Sequence, residues 1–344
     1  MFSVYFKCLI IILDRGIILE LKVVNPSIKS YQFIAFPLAM IEQYDESKKW
    51  LFNNFIQLAY DNQKNSPVPF CFYMLDYTIN PFLDVMRFSR EIKNLVNLNI
   101  IEFTQKAIEN NYYLYLNVDE YYIPNRKSYT KQHYSHDILV YGFDKNKKVF
   151  KVLGYDNTMK FAPSEVPYEK FANAYTSLDK INNDCEQICL FKPKIEPYEV
   201  SGSIIKDRLI DYIESKNTSQ QYADLREPWE RSYGLSAYTS LKAYFESFKR
   251  NSFEKIDPIN SLIILEHKRL MRDRVNFLSS NGFLKERIDL ASFEELEKLS
   301  ETIHLLCLKF NIKRDISIID NLINIMNVLK DKEEQTYSKL IELL

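Results

Sequence analysis

The stretch HDILVYGFDKNKKVFKVLGYDN, His136 to Asn157, sets two apolar runs around a polar centre, with a histidine at one end and an aspartate near the other. DKNK, Asp144 to Lys147, is a turn signal, so the stretch reads as an antiparallel hairpin whose second strand runs from Lys148 to Asp156. Side chains alternate along a strand, which puts Ile138, Val140 and Gly142 on the face of His136, with Asp137, Leu139 and Tyr141 on the other. A loop of odd length places His136 directly opposite Asp156, whereas one of even length sends Asp156 to the far face. A carboxylate beside an imidazole fixes its tautomer and stabilises the protonated ring. His136 and Asp156 are therefore a candidate general base and its orienting acid, set against the plainer reading of a polar pair at the open end of a hairpin.

Working outward, further β-rich runs surround Cys71 (PFCFYML), Tyr115 (NYYLYLNV) and Leu190 (QICLFKPK), and PLAMIEQYDESKKWLFNNFIQLAY, Pro37 to Tyr60, has helical character. The mixture predicts an α+β fold with an antiparallel sheet. After Pro193, Pro197 and Gly202 the strand signals vanish. Ile205, Leu209 and Ile213 recur every fourth residue, and Phe293, Leu296, Leu299, Ile303, Leu306 and Phe310 recur at three and four, the mark of amphipathic helices. The predicted organisation is an N-terminal appendage over 1–21, an α+β domain over 22–200 and an all-helical part over 201–344.

The chain has 344 residues, 46% of them hydrophobic, enough for a well-buried core and for two domains. Its 45 basic and 46 acidic residues are interspersed and give a net charge of -1, which advertises neither a nucleic-acid groove nor a polybasic membrane patch. With only 6 glycines, and with GxxxxGK[ST] and GxGxxG both absent, no cofactor is predicted. The run CLIIIL, Cys8 to Leu13, is broken by Asp14, Arg15 and Gly16 and is too short to span a bilayer. The five cysteines (Cys8, Cys71, Cys185, Cys189 and Cys307) are odd in number and irregularly spaced, which points to a reducing compartment, the cytoplasm. Cys185 and Cys189 lack a second pair and read as structural thiols rather than zinc ligands. The four histidines are too scattered for a metal centre. His133 competes with His136 for the role of base, while His267 and His304 read as surface or interhelical polar residues.

The segment HYSHDILVYGFDKNKKVFKVLGYDN, followed by KFAPSEVPYEKFANAY, resembles the papain-like (cysteine-peptidase-like) domain of the butirosin biosynthesis protein H family. That family includes amide-forming enzymes of specialised-metabolite clusters and is distantly similar to bacteriocin-leader peptidases. SYGLSAYTSLKAYFE (Ser232 to Glu246) and LEHKRLMRDRVNFL (Leu265 to Leu278) look like helical stretches of its longer members, so the resemblance covers most of the chain from Lys22. It implies a cysteine nucleophile at the start of the first helix, a histidine base on a central strand and an aspartate or asparagine that orients it. His136 matches the second role and Asp156 the third. The stretch KSYQFIAFPLAMIEQY occupies the place of the cysteine, with Phe33 at that position, and no cysteine lies between Cys8 and Cys71. Phenylalanine cannot ionise or attack a carbonyl.

The resemblance thus implies an acyltransferase-family protein lacking its thiol nucleophile. Such a protein is either non-catalytic, a pseudoenzyme, or uses His136 for direct transfer from the thioester of an acyl or peptidyl carrier protein to a small-molecule amine acceptor. Two alternatives stand beside it: an active cysteine enzyme with a relocated nucleophile, and a scaffold or carrier-protein-binding module.

Overall fold

The computed structural model describes residues 9–13, 16–63, 66–73, 78–96, 98–183, 185–218, 231–250 and 253–344. Cys8, with the rest of residues 1–8, lies outside them. In chain order the elements are β1 (Leu9–Leu13), β2 (Gly16–Glu20), α1 (Gln32–Ile41), α2 (Asp45–Asn54), β3 (Leu58–Asp61), β4 (Phe70–Phe72), β5 (Leu83–Ser89), α3 (Arg90–Leu95), α4 (Ile100–Glu109) and β6 (Tyr113–Asp119). There follow β7 (Ser135–Asp144), β8 (Val149–Tyr155), β9 (Phe161–Pro167), α5 (Tyr168–Ser177), β10 (Gln187–Pro193), α6 (Gly202–Ile213), β11 (Arg231–Tyr233), α7 (Ala237–Ser247), α8 (Pro258–Ser280), α9 (Leu290–Lys313) and α10 (Ile316–Leu343). The fold is α+β, with antiparallel sheets and a C-terminal part that is mostly helical. It separates into two units, Met1–Asp45 with Tyr77–Glu196, and Glu46–Asp76 with Pro197–Leu344.

The first unit is built on an eight-stranded antiparallel sheet in the order β1-β2-β7-β6-β10-β5, with β8 on the other edge of β7 and β9 beyond it. Every residue of β6 is buried, as a strand covered on both faces requires. β1 and β2, from the segment read as an appendage, form a hairpin, and β2 hydrogen-bonds to β7 over Ile18–Glu20. β6 pairs with β7 from Ser135 to Val140, and β2 takes over from Gly142 to Asp144.

Tyr141 is the residue at which that partner changes. Between Val140 and Gly142 the β7–β8 ladder shifts register, and the Tyr141 carbonyl accepts from Leu21 N at 2.8 Å. The turn itself spans residues 145–148, an even number, and is tied by the Asp144 carboxylate, which accepts from Asn146 N at 2.8 Å and Lys147 N at 3.0 Å. An even loop puts Asp144 opposite Val149, and the extra residue at the bulge then restores the pairing of Leu139 with Leu153. The parity expected of an odd loop is reached by an even loop plus a bulge.

The second unit combines a three-stranded sheet, β11-β3-β4, with α2 and α6 to α10. Here the structure departs from the local pattern in two ways. The helical reading of Pro37 to Tyr60 resolves into α1, α2 and β3, and Arg231 to Tyr233, inside the region read as all helical, pairs with β3. Pairing across so long a stretch of chain leaves no period in the sequence. The three long helices start where their caps dictate, at Asp257, Asp289 and Asp315, each accepting from the N–H two residues on at 3.0, 3.0 and 2.9 Å.

Candidate functional site

α1 begins at Gln32 after an extended Tyr31 whose side chain makes no cap. In place of a cap, the Gln32 carboxamide reaches into the sheet. Its Oε1 accepts from Tyr155 N at 2.6 Å, and its Nε2 lies 3.0 Å from His136 Nδ1, 2.6 Å from Asp137 Oδ1 and 2.9 Å from the Asp137 carbonyl. A backbone N–H can only donate, so the oxygen of the carboxamide is the atom at Tyr155 and its nitrogen faces the start of β7. The helix-start residue that meets the strand histidine is therefore Gln32, one position before Phe33. The Phe33 ring stacks on Tyr31 at 5.4 Å instead.

Asp156 does not orient His136. Its Oδ1 accepts from Thr158 Oγ1 at 2.7 Å, Thr158 N at 2.8 Å and Lys160 N at 3.0 Å, and these bonds hold its carboxyl below the usual carboxylate range. It caps the turn between β8 and β9, as a short acidic side chain beside backbone N–H groups does. The register read from the sequence would bring Asp156 opposite His136, but the ladder ends at Leu139 and Leu153, and Tyr155 N is taken by Gln32. The carboxylates beside His136 Nδ1 are Asp137 Oδ1 at 3.2 Å and Glu120 Oε1 at 3.7 Å. Asp137 also accepts from Tyr115 Oη at 3.2 Å. Strand alternation had assigned Asp137 to the opposite face from His136. The alternation fails at this strand end because both side chains close on Gln32.

Under this group lies Arg126, 5% exposed. Its guanidinium donates to the carbonyls of Tyr155 and, at 3.3 Å, Leu153. Burial pushes its pKa down, and the charges of Glu120, Asp137 and Asp156 pull it back up. Gly154, between the two carbonyls, has φ of +153°, and a Cβ there would stand 2.5 Å from Arg126 Nη2 and 2.6 Å from Gln32 Oε1. Gln32, Glu120, Arg126 and Asp137 were not read as site residues. Only the glutamine carried a signal, at the helix start beside the position singled out.

The other histidine of this unit, His133, is exposed and has its Nδ1 2.6 Å from Asp119 Oδ2. His267 is fully buried in the second unit between the Ile56 carbonyl, 2.8 Å from Nε2, and Lys268 Nζ, 2.9 Å from Nδ1, while His304 Nδ1 meets Ser261 Oγ at 2.9 Å. Cys71, Cys189 and Cys307 are buried, and Cys185 is partly exposed. Burial pushes the Cys71 thiol up to about 11 and the Cys307 thiol to about 12. Among the described residues no group of three or more His, Cys, Asp or Glu is placed to hold a metal ion, and no helix is long and apolar enough to cross a membrane. Scanned against protein-family models and against curated proteins, the chain returns no significant match to either.

Proposed function

We propose that the first unit is a papain-like domain related to the butirosin biosynthesis protein H family, and that it passes an acyl group from a carrier-protein thioester directly to an amine without holding it covalently. The observation that carries this reading is the meeting of Gln32 Nε2 with His136 Nδ1 at 3.0 Å. Gln32 at the helix start and His136 on the strand stand where the resemblance implies a thiol and its base, yet the side chain at the helix start is a carboxamide, which has no lone pair able to attack a thioester at neutral pH. Among the described residues, Cys71 offers no relocated nucleophile. Cys71 belongs to the second unit, and burial keeps its thiol protonated. A second reading, a carrier-binding module without catalysis, is favoured by the saturation of Gln32 by the protein's own groups at Tyr155, His136 and Asp137.

The Gln32→Cys variant tests the architecture. The new thiol, at a helix N-terminus beside His136, is expected to react with iodoacetamide faster than an ordinary exposed cysteine and to lose that advantage when His136→Ala is added. A thiol indifferent to His136 would end the papain-like reading. Wild-type protein given an S-acyl N-acetylcysteamine and a primary amine separates the two functions: amide formation supports direct transfer, and its absence leaves the binding module.

A further inference from the structure

His133 and His136 lie three residues apart, and the hydrogen bonds around His133 fix its tautomer. Asp119 is fully buried, and all the accepting positions of its carboxylate are used. Oδ1 takes the N–H groups of Tyr121 and Tyr134, both at 3.1 Å, and Oδ2 takes Ser177 Oγ at 2.8 Å and His133 Nδ1 at 2.6 Å. Burial by itself raises the Asp119 pKa, but the hydrogen bonds from His133, Ser177, Tyr121 and Tyr134 outweigh it and hold the carboxyl below its ordinary value. An ionised carboxylate only accepts, so His133 Nδ1 carries the proton and the lone pair is on Nε2. The ring is clamped in that orientation by Tyr121, stacked on it at 4.4 Å, and its side chain is 49% exposed. Capping the turn at Glu120–Tyr122 needs only Oδ1 of Asp119, so the Oδ2 contacts are additional to the structural role. His136 has no such single partner: its Nδ1 faces the Gln32 carboxamide nitrogen at 3.0 Å and the carboxylates of Asp137 at 3.2 Å and Glu120 at 3.7 Å, so a donor and acceptors compete for the same ring nitrogen.

We propose that His133, positioned by Asp119, is a proton-accepting base of this unit. The identity of the substrate rests on the acyl-transfer reading above; the His133 tautomer does not. In that reaction the nitrogen of an amine bonds to the acyl carbon of the thioester as its proton passes to His133 Nε2, and the carbon–sulfur bond breaks. The leaving thiolate takes the proton back from His133 and departs as the thiol. Asp119 touches none of the reacting atoms and acts only through the imidazole.

Two measurements on the full chain decide the matter. Nitrogen NMR of the neutral ring is expected to show His133 protonated on Nδ1. Diethyl pyrocarbonate, which acylates an imidazole lone pair, is expected to modify the neutral His133 ring faster in the wild type than in Asp119→Asn by roughly tenfold, the worth of one hydrogen bond to an ionised carboxylate. If Asp119→Asn fails to fold, the wild-type tautomer still decides. In the aminolysis assay His133→Gln is expected to lose about 10²- to 10⁴-fold in rate. His133 protonated on Nε2, or a labelling rate unchanged by Asp119→Asn, would overturn the proposal. The expected tautomer with no amide formed would sink the acyl-transfer reading and leave the dyad standing.

Discussion

Gln32 uses both ends of one carboxamide to join the start of α1 to the ends of β7 and β8, and Gly154 makes room for it. An alanine at 154 would bring a methyl carbon within 2.7 Å of Arg126 Nη1 and closer still to Nη2 and Gln32 Oε1. Gly154→Ala is therefore expected to cost about 2–4 kcal/mol, from a strained backbone and a displaced buried guanidinium. Gly282 is the control: its φ is +72°, yet nothing lies within 4 Å of its absent Cβ. Gly282→Ala should cost only the left-handed backbone term of about 1–2 kcal/mol. Urea unfolding of the two variants measures the difference, and equal losses would mean that the Arg126 contact is unimportant. At this scale the sequence pointed to the helix start but not to the residue: Phe33 and Gln32 are neighbours, and only the direction of the first helical turn decides which of them faces the sheet.

Among the elements, α2 ends with its own Asn54 side chain donating to the Trp50 carbonyl at 2.8 Å, and α8 supplies further donors. Arg274, fully buried on α8, donates through Nε to the Phe52 carbonyl at 2.6 Å and through Nη2 to Phe55 at 2.7 Å and Leu51 at 3.3 Å. The Leu51 carbonyl also accepts from Phe55 N at 3.1 Å, while Phe52 and Phe55 stand in the last turn of α2 and just past it, where a cation is also favoured by the helix dipole. Arg274→Ala takes the donor from two carbonyls, Phe52 and Phe55, and opens a cavity, so a loss of about 3–5 kcal/mol is expected in chemical denaturation. Arg274→Lys should recover little of it, because one ammonium cannot reproduce the planar fork. Recovery to within about 1 kcal/mol would show that charge alone matters. The β7–β8 hairpin was legible as an element because its residues, turn and alternation are local. The bulge at Tyr141 was not, since it arises where two different strands, β6 and β2, share one edge of β7.

At the scale of the whole molecule, each unit closes around polar groups drawn from distant parts of the chain. In the second unit Lys268 bonds to Glu333 and lies 5.6–5.8 Å from the ring centres of Tyr212, Tyr238 and Tyr337, while Glu333 accepts from Tyr212 at 2.9 Å and Tyr238 at 2.7 Å. Beside them His267 donates through Nε2 to the Ile56 carbonyl and accepts the Lys268 ammonium at Nδ1, which requires a neutral ring. Burial, reinforced by the Lys268 charge, holds its pKa well below the ordinary value. The unfolded chain protonates this histidine below about pH 6.5 while the folded chain does not, so stability falls as pH drops through that value. The loss from this group is about 1.4 kcal/mol between about pH 7.5 and about pH 5.5. Comparing urea midpoints of the wild type and His267→Gln at the two pH values tests this, and an unchanged difference would exclude His267 as the source. The sequence by itself determined the α+β class, the β7–β8 hairpin and the apolar faces of α6 and α9, because alternation and helical period are written in neighbouring residues. Only the tertiary structure decided that Gln32 rather than Phe33 meets His136, that Asp156 caps a turn, and that Glu46–Asp76 joins the C-terminal helices. The first and third depend on pairings between residues far apart in the chain, which leave no periodic trace in it, and Asp156 is held by its own turn because the β7–β8 ladder stops short of it.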